Sequence, residues 1–478
     1  MSIAQLSLSQ TLASVTMLTA GTAYAFSLYG PQLSTLFHLS QSETAFVASC
    51  GNAGVFIGGP ISGTLVDRFP NFAYLFFLVG GLSIFTGYQL VSHTVSGLLP
   101  RPHYLVLALY FFIIGLGSSA NYHCSLATNY RNWPASYRSI AVGTSVGFFG
   151  LSAFFFATVG SQFFIVNQVL QVEQFLSFLG GFCLIISLLS ALLLKPIQTK
   201  IEIIVDNVST ESTPFLHATE HESEYVEERE EGETSSITSR GYISTPVDDL
   251  EYSICDERIE LDDISCFPSI NAFLLAYNMF AIIGVGLMYL NNVGAILISL
   301  LPTDMDSSHP SVQVMQKSHV QLLSLLSFAS RVLIGILSDV CASSIGLPRT
   351  FWPITGALLM VIGCGMMLYI KNADLLYVVS VIIGSAYGTI WSAVPILVGE
   401  YFGLKNFAKN WGWMTVMPAF GGYLFATIFG AVYEESGVSV CKGQNCYMKS
   451  FIIATVLSLL ALFGNIFLYF KRYRETRV

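Results

Sequence analysis

At 478 residues the chain has the length of two or three soluble domains. Its composition excludes them: 53% of the residues are hydrophobic and only 11% charged, where a water-facing surface needs about 25% charge. The net charge of −9 is uneven, because residues 196–268 hold 19 of the 30 acidic and 4 of the 21 basic residues, leaving a net +6 to the other 405.

A helix needs about 20 apolar residues to cross the hydrocarbon layer. In chain order such stretches fall at 8–28, 43–65, 72–92, 103–127, 138–163, 174–194, 270–300, 319–338, 351–370, 374–399, 408–432 and 449–470. The first is rich in Ser and Thr. It has no basic n-region, since no Lys or Arg precedes Arg68, so it reads as a retained span rather than a signal peptide. Lipid leaves no partner for open backbone groups, and nothing alternates with a barrel's period, so the spans are expected to be helices. With the N-terminus in the cytosol, Arg68, Arg131, Arg138, Lys195, Arg349, Lys405, Lys409 and the basic tail all fall on the cytosolic side. That is a positive-inside pattern, and an even number of spans puts both termini there.

The long connection follows the sixth span, which predicts an N-terminal six-helix bundle over 1–195, a linker over 196–268 and a C-terminal six-helix bundle over 269–478. The linker is too polar to offset its ordering entropy and reads as disordered. It is either a solvated tether or a regulatory segment. Thr234, Ser235 and Ser236 beside acidic residues suit an acid-directed kinase, and Glu211–Leu216 has the form of an acidic dileucine sorting signal for an adaptor. Asn207 heads a glycosylation sequon that this topology keeps in the cytosol. Cys441 and Cys446, in the loop before the last span, form either a short disulfide in an oxidising compartment or two free thiols.

The second and eighth spans echo each other. One ends Gly59-Pro-Ile-Ser-Gly63-Thr-Leu-Val-Asp67-Arg68; the other ends Arg331-Val-Leu-Ile-Gly335-Ile-Leu-Ser-Asp339. Both place Asp after Gly and three residues at the cytosolic end. The pattern resembles the cytosolic-loop motif of the major facilitator superfamily. That resemblance implies an all-α membrane protein with twelve transmembrane helices in two six-helix bundles, two parallel repeats. It also implies that Asp67 faces the positive N-terminus of the eleventh span. Gly63, Asp67, Arg68, Arg131, Asp339 and Glu400 then form a conformational latch, or else cap helix ends statically. The stretch Ala20-Gly-Thr-Ala-Tyr24-Ala-Phe26-Ser-Leu-Tyr29-Gly-Pro31, with Gly51-Asn52-Ala-Gly54, Glu400-Tyr-Phe-Gly and Asn410-Trp-Gly-Trp, resembles nodulin-like proteins and fungal monocarboxylate-transporter homologues.

Charges at mid-membrane are costly and mark function. Arg331 is the one candidate, either for holding a carboxylate with its two-pronged guanidinium or for structure. Animal monocarboxylate carriers place an Asp four residues earlier, where this chain has Ser327. Tyr24, Asn52, Asn278 and Asn291 are candidate substrate residues or interhelical glue. His123 is the best titratable group for proton coupling, or else a packing residue.

No phosphate loop, zinc spacing or nucleophile elbow is present, so the expectation is no enzyme, no metal and no cofactor. The chain reads as a monomeric transporter whose partners are a small-molecule substrate and the lipid bilayer, without nucleic acid. The vacuolar membrane is favoured and the plasma membrane comes second. The rival reading is a non-transporting nutrient sensor that signals through the linker.

Overall fold

A computed structural model describes residues 3–166, 169–196, 269–302, 310–435 and 441–475. The kinase, sorting and glycosylation positions of the linker lie outside the described residues. The helices are α1 (Ile3–Ala20), α2 (Phe26–Phe37), α3 (Gln41–Arg68), α4 (Ala73–Val95), α5 (Tyr104–Asn132), α6 (Arg138–Phe163), α7 (Val172–Leu193), α8 (Ile270–Asn278), α9 (Gly284–Leu300), α10 (Pro310–Ile345), α11 (Phe351–Met367), α12 (Leu376–Phe402), α13 (Phe407–Glu434) and α14 (Met448–Glu475). A two-residue hairpin, β1 (Ile165–Val166) on β2 (Val169–Leu170), joins α6 to α7.

Ten helical runs among the described residues are long and apolar enough to cross a membrane. The first span and the 17-residue α11 complete the twelve. The first falls short on hydropathy because its polar residues face inward: Ser9, Ser14, Thr16 and Thr19 are buried. The Thr16 hydroxyl meets that of Ser190 on α7 at 2.6 Å, and Ser9 donates to Asn129 on α5 at 3.0 Å.

The first span is broken, and the seventh carries an irregular turn. In the first, α1 stops at Ala20, and one 3-10 turn (Thr22–Ala25) leads into α2. Gly21 packs so close to Phe149 and Ser152 on α6 that a Cβ would lie 2.8 Å from the Phe149 carbonyl, while Ser152 donates to the Gly21 carbonyl. In the seventh, a single π turn (Met279–Ile283) separates α8 from α9. Irregular turns at membrane depth survive where they are buried in protein, and π turns concentrate at functional sites.

The chain leaves α2 through His38, in left-handed conformation at φ 53°, and enters α3 through a capping box. There Glu43 N–H donates to Ser40 Oγ and Ser40 N–H donates to the Glu43 carboxylate. The eighth span differs from its expected limits. The helix runs through 36 residues, from Pro310 to Ile345, about 54 Å at 1.5 Å per residue, and so projects beyond the hydrocarbon at its polar ends.

Within the first half α3 packs on α5 and α4 on α5 and α7; within the second α10 and α11 pack on α12, and α11 on α14. Two pairs make most of the contact between the halves, α3 with α13 and α6 with α10, and α6 with α12 and α5 with α13 add to it. On the face away from the chain ends, Cys441 and Cys446 are joined by a disulfide. Lys442 in that loop donates to the Ile298, Leu301 and Pro302 carbonyls, a cation at the negative end of α9. Closing so short a loop contributes about 2 kcal/mol through the unfolded state. Cys441→Ser is therefore expected to lower the melting temperature in detergent by a few degrees, matched by reductant on the wild type. An unchanged melting point would show that Lys442 alone holds the loop.

Candidate functional site

Where the halves meet, Arg331 on α10 is 2% exposed. Its Nη1 donates across to the Val146 carbonyl of α6 at 2.7 Å. It reaches that carbonyl because residue 150 is glycine: a Cβ there would stand 2.5 Å from Nη1 and 2.8 Å from Cζ. The guanidinium also lies 5.4 Å from the Trp391 ring centroid and 5.8 Å from that of Tyr387, both on α12. No Asp or Glu among the described residues pairs with it. A buried cation held by one carbonyl and two ring faces remains short of a counter-charge.

Aromatic side chains surround this point from both halves. Tyr24 packs edge-on to Phe149, and Tyr122 packs on Phe149 with centroids 4.8 Å apart. Opposite them Tyr387, Trp391 and Trp411 form a chain with centroids 6.2 and 5.9 Å apart. Val55, Phe56, Tyr122, His123, Trp391 and Thr415 line a cavity of about 10 Å³, room for no more than one water.

The polar residues expected in the pathway divide. His123 borders the cavity. Its Nδ1 donates to the Ser119 carbonyl at 2.8 Å, which leaves Nε2 of the neutral ring as an acceptor, buried and without a partner. Tyr24 is half-buried in the broken turn, and the Asn52 Oδ1 is buried without a hydrogen bond. Asn278 does not take part. It exchanges two amide hydrogen bonds with Asn465 on α14, at 2.7 and 2.9 Å, and Asn465 also donates to the Pro353 carbonyl. That saturated amide pair ties the seventh, ninth and twelfth spans together and leaves nothing for a solute. Asn291 is exposed on α9, away from Arg331's contacts. Ser327, one turn before Arg331, has a buried hydroxyl that makes no hydrogen bond.

At the face that carries the chain ends, two carboxylates have matching surroundings. Asp67, at the end of α3, accepts from the Lys409 N–H, third residue of α13, at 2.6 Å and from the Arg131 guanidinium. Asp339 accepts from the Ile140 N–H, third residue of α6, at 2.9 Å and from Arg349 at 3.0 Å. Each half thus lends a carboxylate to a helix N-terminus of the other, where the free N–H groups and the dipole favour it. Gly63 lies against the Ala408 backbone and Gly335 against Ser139 and Gly143, so the helices approach at backbone distance beside each carboxylate.

Two expected members of this cluster sit elsewhere. Arg68 is exposed, its guanidinium 5.8 Å from the Phe69 ring, and no acidic residue among the described residues pairs with it. Glu400 pairs with Arg472 of α14 at 3.1 Å and with Arg349 at 3.9 Å, and so belongs to the Asp339 side instead of the Asp67 side. The reason is spacing around the second bundle: Glu400 ends the tenth span, which neighbours the eighth. Arg349, Gly150, Tyr122 and Tyr387 are the members of these sites that the sequence reading misses. Only Arg349 leaves a signal, as the basic residue nearest after the second-half Asp.

Comparisons with known proteins fit this arrangement. Residues 9–219 match the nodulin-like family, and residues 260–476 match the C-terminal domain of the NFD4 family. A probable transporter MCH1 of Gibberella zeae is 25% identical over 94% of this chain and 87% of its own length. An uncharacterized membrane protein of Saccharomyces cerevisiae, YMR155W, is 24% identical over 97% and 94%. Among solved structures, the proton:xylose symporter XylE covers 96% of this chain and 95% of its own at TM-score 0.65 and 14% identity. The human organic anion transporter MFSD10 covers 96% and 99% at TM-score 0.61 and 12% identity. The chain has the fold of the major facilitator superfamily and is similar to membrane transporters of the nodulin-like, MCH1 type.

Proposed function

We propose that the chain carries a small organic anion, of monocarboxylate type, across its membrane by alternating access, with Arg331 as the anion-holding group. One observation carries this reading: a fully buried guanidinium at the meeting of the halves, with no acidic partner among the described residues. Such a charge is costly to keep in a membrane protein, and a substrate carboxylate is the natural compensation. Asp67 with Arg131, and Asp339 with Arg349, act as paired latches that hold this arrangement and release when the face of the chain ends opens. Gly63 and Gly335 supply the close approach on which each latch depends. His123, which borders the cavity and has an unpaired Nε2, is the group to take up a proton with the solute, and Tyr24 and Asn52 are further solute contacts.

The positive-inside pattern supports termini in the cytosol, with 1–195 and 269–478 as the moving bundles and 196–268 as their tether. The sorting-like Glu211–Leu216 segment favours the vacuolar membrane, with the plasma membrane second, and an adaptor or kinase as partner of the tether.

The test is uptake into liposomes holding the full chain. An anionic monocarboxylate should accumulate, and Arg331→Gln should reduce uptake roughly thirtyfold or more, the scale for losing a buried charge pair. Arg331→Lys should restore little, because an ammonium neither fits the Val146 carbonyl and the two rings nor offers a fork. Undiminished uptake by Arg331→Gln would end the proposal.

A further inference from the structure

The surroundings of Arg331 narrow the solute further. Donors are plentiful there: Arg331 Nε is buried without a partner, and Trp391 Nε1, Trp411 Nε1 and the Tyr122 hydroxyl are buried around it, the Trp411 N–H beside the Tyr122 hydroxyl. Their residues are at most 3% exposed. Buried donors of this kind are normally paired. The Tyr122 hydroxyl and that of Ser327, one turn before Arg331, can also accept. Among the described residues no other cation lies over the Tyr387 or Trp391 ring.

We infer that the solute is a monocarboxylate with a flat aromatic or conjugated body, and not a short aliphatic acid or a dicarboxylate. The inference rests on the reading of Arg331 as the anion site.

Three features support it. A carboxylate has two oxygens and about four acceptor positions, which matches a site rich in donors. A single cation balances a single negative charge, so the second carboxylate of a diacid would be buried unpaired. The walls are rings contributed by both halves, Tyr24, Tyr122 and Phe149 on one side and Tyr387, Trp391 and Trp411 on the other. A flat body between them makes stacked and edge-on contacts with both sets of rings. A short aliphatic acid would leave those faces uncovered. Trp391 holds both parts of the site, its ring face toward Arg331 and its N–H unpaired.

The experiment uses the full chain in liposomes, with labelled phenylacetate as probe and unlabelled lactate, succinate and xylose as competitors. Monodisperse elution of each variant confirms folding. Phenylacetate should be taken up, and each competitor should act at least about tenfold less strongly, the scale of one aromatic contact. Trp391→Leu should weaken phenylacetate about tenfold and erase its advantage over lactate. Trp391→Phe keeps a ring face and loses the N–H, so it should weaken phenylacetate only about threefold to fivefold. Equal competition by lactate or succinate, or an unchanged preference in Trp391→Leu, would overturn the aromatic body. The anion site itself would still stand if Arg331→Gln abolished lactate uptake. Phenylacetate uptake that survives Arg331→Gln would overturn the anion site, and no uptake of any carboxylate by folded protein would overturn both.

Discussion

Gly150→Ala is expected to reduce carboxylate uptake about tenfold to a hundredfold while leaving the protein folded. The new methyl would stand 2.5 Å from Arg331 Nη1 and 2.8 Å from Cζ, well inside van der Waals contact. Either α6 and α10 separate or the guanidinium swings off the Val146 carbonyl. The second response is easier, because a long side chain moves more readily than two helices packed at Gly143 and Gly335. Overpacking of this kind costs about 1–3 kcal/mol, and here the cost falls on the position of one charge. Gly181→Ala on α7 is the control. Nothing lies within 4 Å of a Cβ there, so it should be neutral or slightly stabilising through helix propensity. Wild-type uptake by Gly150→Ala would show that Arg331 does not work from this seat.

Gly63→Ala should open the face that carries the chain ends. Its methyl would press on the Ala408 carbonyl, which is backbone and cannot rotate away. Pushing α3 from α13 also draws Asp67 off the Lys409 N–H, which it now meets at 2.6 Å. The penalty applies only while the two helices are closed. About 1–3 kcal/mol on one of two states shifts their ratio roughly fivefold to a hundred-and-fiftyfold. Thr415 lies buried deeper along the same seam. In a Thr415→Cys background, a membrane-impermeant maleimide added from the side of the termini should label the Gly63→Ala protein at least about fivefold faster. Equal labelling rates would mean that the Gly63 contact does not control access.

The legibility of the chain differs sharply between fold and site. The spans could be read because lipid demands about 20 apolar residues wherever a helix crosses, a local property. Even the weakest, the first, failed on hydropathy for a reason visible in its own Ser and Thr residues. Asp67 and Asp339 could be paired because the two halves repeat a short motif, and the structure gives them mirrored partners, Lys409 and Ile140. Glu400 could not be placed in the same way. It is a carboxylate at a helix end like the others, and only the order of spans around the second bundle sets it beside Arg472 and Arg349. Asn278 shows the same limit: an Asn in a span reads alike whether it meets a solute or Asn465, 187 residues away.

From the sequence alone came the membrane, the number of spans, the acidic composition of residues 196–268 and Arg331 as a charge in need of an explanation. Each of these depends on composition within a window of tens of residues, and transfer into lipid penalises composition directly. The tertiary structure decided the company Arg331 keeps. Its carbonyl partner is 185 residues distant, and its rings come from α12. The space it occupies exists because a glycine on another helix has no side chain. Such contacts are set by how helices rotate and pack against one another, and no periodicity within a single span records that rotation.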